Sequence, residues 1–242
     1  MAQCLGAALA LVTSADAGSR RFGYSYETTT MAKGAMELET GITWKTGEES
    51  NRNFDIRHEF EYGYSDRLQL ALYFADWSYE KPTGQSGKAQ FEDVAVEAIY
   101  NLTDPNTTPV GSALYGEIKG GDDFFGLEGK LLLQKNFGQW MFVYNVGGEV
   151  VWKDHNQQDE AELMQSAGVG YQISPSWSVG TELLHEIAVP DVDTIGASGV
   201  YLGPNVAWRD NRLAVTITGL WQLTSLVGEP EFQLRTILSV DF

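Results

Sequence analysis

Residues 231–242 alternate without a break to the final position. Phe232, Leu234, Thr236, Leu238, Val240 and Phe242 share one side of an extended segment, and Gln233, Arg235, Ser239 and Asp241 share the other, with Ile237 the single apolar intruder. A period of two marks a strand whose two faces meet different surroundings. The ends of soluble domains fray and tend to be polar. An apolar alternation kept to the end is expected where the last strand must pair with the first, so that a sheet closes and leaves no edge. The competing reading is an edge strand of a soluble β-sandwich, and the rest of the chain has to decide between them.

From Gly34 onward the pattern of strand, turn and strand continues to the end. Strand one, about residues 35–45, sets Met36, Leu38, Ile42 and Trp44 against Glu37, Glu39, Thr43 and Lys45. Strand two sets Phe54, Ile56, Phe60, Tyr62 and Tyr64 against Asp55, Arg57, Glu59 and Glu61. Strand three sends Leu68, Leu70, Leu72 and Phe74 outward, and strand four opposes Val94, Val96 and Tyr100 to Asp93, Glu97 and Asn101. A short, weak strand five is expected near residues 113–119, and strand six opposes Leu127, Leu131 and Leu133 to Glu128, Lys130 and Gln134. Strand seven carries Trp140, Phe142, Tyr144, Val146, Val150 and Trp152 opposite Asn145, Gly147, Glu149 and Lys153. Strand eight ends at Ile173, and strand nine sets Trp177, Val179 and Leu183 against Ser178, Glu182 and Glu186. Strand ten ends at Trp208, strand eleven carries Leu213, Val215, Ile217, Trp221 and Leu223, and the C-terminal strand is the last.

The count is about twelve strands of roughly ten residues, the length a tilted strand needs to cross the hydrocarbon layer. Connections after even-numbered strands are short, residues 104–110 excepted, and those after odd-numbered strands are longer and more polar. Short turns on one side and long loops on the other are the habit of a transmembrane barrel. Tryptophan follows the same division. Trp44, Trp77, Trp152 and Trp221 fall near the long-loop ends, and Trp140, Trp177 and Trp208, with Phe242, at the turn side. Indole rings favour a membrane boundary because one part is apolar and another can hydrogen-bond. The expected fold is therefore all-β: a single antiparallel up-and-down transmembrane β-barrel in contact with a lipid bilayer.

At 242 residues one barrel accounts for the chain without a linker. No apolar run is long enough for a membrane helix. Residues 1–17 read as a signal peptide: Leu5 to Val12 is a short apolar core, and Ala15, Asp16 and Ala17 form a small-residue cleavage pattern. The basic stretch such peptides carry is missing, which suggests a start upstream. Cys4, the single cysteine, would leave with that segment, so no disulfide or thiol chemistry is expected in the mature chain. In residues 18–33, Phe22, Tyr24 and Tyr26 alternate with small polar residues, fitting either an extra strand or a periplasmic or lumen segment. The barrel proper is expected over residues 34–242. A net charge of −17 makes nucleic acid a poor partner, because phosphate binding needs clustered Lys and Arg.

Opposite the lipid-facing stripe runs a row of charge: Glu37, Glu39, Asp55, Arg57, Glu59, Glu61, Asp93, Glu97, Glu117, Lys119, Glu128, Lys130, Glu149, Lys153, Glu182, Glu186, Arg235 and Asp241. Bare charges need water or partners. One expectation is a narrow water-filled channel whose acidic excess favours small cationic or neutral solutes. The other is a closed network in which Arg57, Lys130 and Arg235 bridge the carboxylates. No cofactor and no metal are expected. No P-loop, HExxH, CxxC or G-x-S-x-G occurs, so no enzyme is expected. Outer-membrane phospholipases place a serine two residues after a lipid-facing histidine, whereas His58, His155 and His185 are followed at that spacing by Phe60, Gln157 and Ile187. The stretch from Asp191 to Gly196 opens like a calcium loop but puts Ile195 at a ligand position.

Three stretches carry a family likeness: Phe22-Gly23-Tyr24-Ser25-Tyr26-Glu27, residues 33–39, and residues 57–67 from Arg57-His58-Glu59-Phe60-Glu61 to Ser65-Asp66-Arg67. Together they resemble uncharacterised bacterial outer-membrane β-barrels loosely similar to porin-like proteins found beside aromatic-degradation genes. The alternating C-terminal strand with its terminal Phe242 likewise resembles the signal that barrel-assembly machinery reads. The resemblance implies a bacterial outer-membrane location and a barrel. It names no solute, and a structural or surface-interaction barrel with a blocked lumen stays open beside the channel.

Overall fold

The structure is a computed structural model that describes residues 20–47, 53–81, 86–153, 157–190 and 195–242. The expected signal peptide lies outside these residues, as does most of the Asp191 to Gly196 stretch. The strands are β1 (Met36–Thr46), β2 (Asn53–Ser65), β3 (Leu68–Glu80), β4 (Lys88–Phe91), β5 (Asp93–Thr103), β6 (Gly111–Gly121) and β7 (Phe124–Phe137). They continue with β8 (Trp140–Lys153), β9 (Gln157–Ser174), β10 (Trp177–Val189), β11 (Ser198–Arg209), β12 (Leu213–Gln222) and β13 (Phe232–Asp241). β4 and β5 form one stave. β4 pairs with the far end of β3 and β5 with its near end, and Glu92 between them donates its N–H to the Asp76 carbonyl at 2.8 Å. Thirteen segments thus make twelve staves.

Each stave pairs antiparallel with its neighbours in sequence, and β1 pairs with both β2 and β13, from Glu37 opposite Asp241 to Thr46 opposite Phe232. The C-terminal alternation is what makes this closure possible. Among the described residues the ring closes and β4 alone is bonded on one side, to β3, so backbone groups along the paired stretches find partners without water. One seam is thinner. Between β11 and β12 the pairing passes from Leu202 opposite Trp221 to Asn205 opposite Thr218 and skips Gly203 and Pro204, where proline has no N–H to give.

Burial runs opposite to that of a water-soluble domain. Leu72, Val96, Ile118 and Leu131 are exposed, while Glu37, Glu39, Glu59, Glu97 and Glu182 are buried. An apolar belt of this extent faces hydrocarbon and not water. Among the described residues no helix is long and apolar enough to cross a membrane.

Aromatic rings gather at the two rims. Trp177 and Trp208 face each other in register with ring centroids 6.5 Å apart, and Trp140 lies 4.9 Å from Tyr171, all at the short-turn rim. At the long-loop rim Phe232 packs against Trp44 at 6.1 Å and Trp221 at 4.8 Å, Trp77 meets Phe91 at 5.5 Å, and Trp152 stacks on Phe125 at 5.9 Å. Phe242 is 70% exposed at the turn side. The weak fifth strand is corrected: β6 is a full stave of 11 residues. Its glycines at 111, 116, 120 and 121 thin the apolar stripe without breaking the ladder, since Gly111 to Gly121 pair residue for residue with β7.

Candidate functional site

The inward positions come from period-two alternation, and where they sit along each stave decides their company. Toward the long-loop end they are half-buried and mostly ion-paired. Lys45 lies 2.7 Å from Asp55, Arg57 lies 2.7 Å from Asp76, and Lys119 pairs with Glu149. Water reaches this layer: the Lys45 and Asp55 side chains are 35% and 34% exposed. Lys153 and Glu160 pair closer to the rim.

Deeper, aromatic rings join the charges. Arg57 also approaches Glu117 at 3.4 Å and sits 4.0 Å over the Tyr73 ring, whose hydroxyl donates to Glu97 at 2.6 Å. The Tyr115 hydroxyl donates to Glu117 at 2.9 Å. Lys130 pairs with Glu128 at 2.8 Å and lies 4.4 Å over Tyr115. Arg57 thus lies between two carboxylates, Asp76 and Glu117, whereas Lys130 is paired with Glu128. Arg235 instead lies 5.4 Å over the Tyr24 ring, a cation–π contact. Of the other inward charges, Asp93 is buried on β5, and Glu186 and Asp241 are half-buried.

Below this layer the lumen is occupied by the chain itself. Residues 20–33 form no strand; they run extended through the turn-side half of the barrel, held by inward side chains. The Glu182 carboxylate accepts the backbone N–H groups of Gly23, Tyr24 and Ser25 at 2.7, 2.9 and 3.0 Å, and the Thr218 hydroxyl at 2.6 Å. Asn145 accepts from the Tyr26 N–H at 2.6 Å and donates to its carbonyl at 3.0 Å. Gln134 accepts the Thr28 N–H at 2.7 Å, Asn101 donates to the Thr28 carbonyl at 2.5 Å, and Gln69 accepts the Met31 N–H at 3.0 Å. Asn205 donates to the Arg21 carbonyl at 2.6 Å and Thr216 to the Arg20 carbonyl at 2.5 Å. Side-chain amides suit this task because each offers both a donor and an acceptor to a backbone that has no strand beside it.

Two glycines on the wall make room for the segment. A Cβ on Gly168 would come within 2.7 Å of the Phe22 ring, and one on Gly63 within 2.1 Å of the Ala32 carbonyl oxygen. Residues 20–33, the described part of that stretch, thus lie outside any strand and against inward side chains.

The amide and hydroxyl clamps are what sequence reading missed. Alternation sets Asn101, Gln134 and Asn145 inward but gives them no role. The available signal was that inward positions at one depth carry Gln, Asn or Thr where those above carry charge. The histidines also gain partners the spacing did not reveal: His185 Nε2 lies 2.8 Å from Ser198 Oγ and His58 Nδ1 lies 2.9 Å from Thr40 Oγ1. Both are cross-strand pairs on the outward face.

A family model described as a family of unknown function, DUF6662, matches residues 14–236. No match is found among curated proteins. Among solved structures, the COG4313 outer membrane channel from Pseudomonas putida F1 is similar over 89% of this chain and 98% of its own, with a TM-score of 0.64 and 12% identity. The NanC porin aligns over 85% of this chain and 98% of its own, with a TM-score of 0.59 and 11% identity. The translocator domain of the autotransporter NalP from Neisseria meningitidis aligns over 87% and 89%, with a TM-score of 0.54 and 10% identity. At such identities the likeness is one of fold, and that fold is the bacterial outer-membrane barrel.

Proposed function

The chain belongs to the DUF6662 family, and we propose that it is a non-enzymatic outer-membrane channel for small cationic or neutral solutes, its passage controlled by residues 20–33. The observation that carries this reading is the layered lumen. Wetted ion pairs toward the long-loop end, among them Lys45 with Asp55 and Arg57 with Asp76, lead down to a segment held by hydrogen bonds and by one long ion pair, Arg20 to Glu39 at 3.6 Å. The buried side chains of Phe22 and Met31 hold it too, as do the half-buried rings of Tyr24 and Tyr26, which pack against the wall. The hydrogen bonds and the ion pair can be exchanged for water, while burial of Phe22 and Met31 opposes departure, so the segment acts as a latch and not as a loose filling. The excess of carboxylates over Lys and Arg along the inner wall gives the path a negative field that attracts cations and repels anions. The solute and the barrel-assembly machinery are the partners this reading implies.

A second reading, a structural or surface-interaction barrel with a permanently blocked lumen, is favoured by the number of side chains that clamp the segment's backbone. Planar-bilayer recording separates the two. The channel reading expects a cation-selective current from the intact chain that increases when Glu182→Ala loosens the segment, and that loses selectivity in Glu59→Gln with Glu97→Gln. Absence of current from both the intact chain and Glu182→Ala would leave only the blocked barrel.

A further inference from the structure

Glu37 and Glu39 on β1 and Glu59 and Glu61 on β2 all face inward, and the register sets them against one another: Glu37 is opposite Glu61, and Glu39 opposite Glu59. All four are buried, none more than 4% exposed. One carboxylate oxygen from each of Glu39, Glu59 and Glu61 lies within 4.8 Å of the other two. Ionised carboxylates only accept hydrogen bonds, so such a group cannot satisfy itself, and like charges directly across a ladder repel.

A separate observation points the same way. Glu37, outside that trio but on the same face two positions before Glu39, is fully buried with neither carboxylate oxygen hydrogen-bonded. Glu59 Oε2 and Glu61 Oε2 are buried without a donor as well. Among the described residues, the cation in ion-pair contact with the four is Arg20, whose Nη1 lies 3.6 Å from Glu39 Oε1. The nearby Arg57 guanidinium is engaged by Asp76 and Glu117.

We propose that Glu37, Glu39, Glu59 and Glu61 form a binding site for a hard divalent cation of the calcium class. An all-oxygen anionic donor set without nitrogen or sulfur suits such an ion better than zinc, whose sites usually include His or Cys. Ligand distances of about 2.3–2.6 Å place donors on opposite sides of calcium about 5 Å apart, so oxygens spaced as these are can share one ion. Bound there, the ion tethers β1 to β2 at the depth where Arg20 brings the N-terminal segment to the wall. The site stands on the barrel register and on the spacing and burial of these carboxylates, and does not depend on whether the lumen conducts.

The test is calorimetric titration of the intact folded chain in detergent, first stripped with EDTA, with calcium chloride at neutral pH. One calcium per chain is expected, with the affinity reduced roughly 100-fold in Glu59→Gln with Glu61→Gln and unchanged in Glu160→Gln, a carboxylate near the rim. Amide replacement removes repulsion and preserves shape, and the heat-dependent gel shift of a folded barrel checks each variant. Glu37→Gln alone, expected to weaken binding by a smaller factor, covers the case in which the double variant does not fold. The proposal is overturned if the intact chain takes up no calcium saturably, or if the folded variants at 37, 59 and 61 bind as it does.

Discussion

Glu182 accepts three consecutive backbone N–H groups from residues more than 150 positions earlier in the chain. Buried donors left without an acceptor cost about 1–3 kcal/mol each, so this side chain holds much of the segment in place. Glu182→Ala is expected to release residues 20–33 while the barrel remains closed by β1 and β13. Trypsin should then cut after Arg20, Arg21 or Lys33 much faster than in the intact protein, with the heat-dependent gel shift retained. Cleavage at the intact protein's rate would mean that other contacts suffice. Glu182 was legible as an inward residue from its alternation with Val179 and Leu183. Its task was not, because the partners are backbone groups of a distant segment and no side-chain pattern records them. The same applies to the four carboxylates on β1 and β2: each was legible as inward, but that they stand face to face depends on a register the sequence does not spell out.

Among the elements, the staves follow directly from alternation, and the lipid face is where that can be tested. Leu131 lies near the middle of β7, outward and exposed, beside the inward Lys130. Leu131→Arg should cost about 2–4 kcal/mol, the penalty for a cation at the bilayer midplane, read from urea unfolding out of phospholipid vesicles. An unchanged unfolding midpoint would place Leu131 away from hydrocarbon. Two elements were less legible. In β6 the glycines removed the apolar signal from a stave whose backbone pairing is intact. In the N-terminal segment Phe22, Tyr24 and Tyr26 alternate as in a strand, because any extended chain has that period whether its backbone bonds a neighbouring strand or a ring of side chains. Only the identity of the acceptors, Glu182, Asn145, Gln134 and Gln69, distinguishes the two.

For the whole molecule, closure through the C-terminal strand makes a cylinder with an apolar outside, and the charge that alternation sends inward is managed by three devices at three depths. Water and ion pairs serve the long-loop end, cation–π contacts and tyrosine hydroxyls the middle, and the chain's own N-terminal backbone the turn side. Occupation of the lumen by that backbone is the claim on which both the channel and the blocked-barrel readings rest. It is tested most directly by hydrogen–deuterium exchange of the intact protein folded in detergent, followed at residues 22–31. The N–H groups of Gly23, Tyr24, Ser25, Tyr26, Thr28 and Met31 are bonded to wall side chains and are predicted to exchange far more slowly than a free chain. Exchange of these amides at free-chain rates would contradict the account.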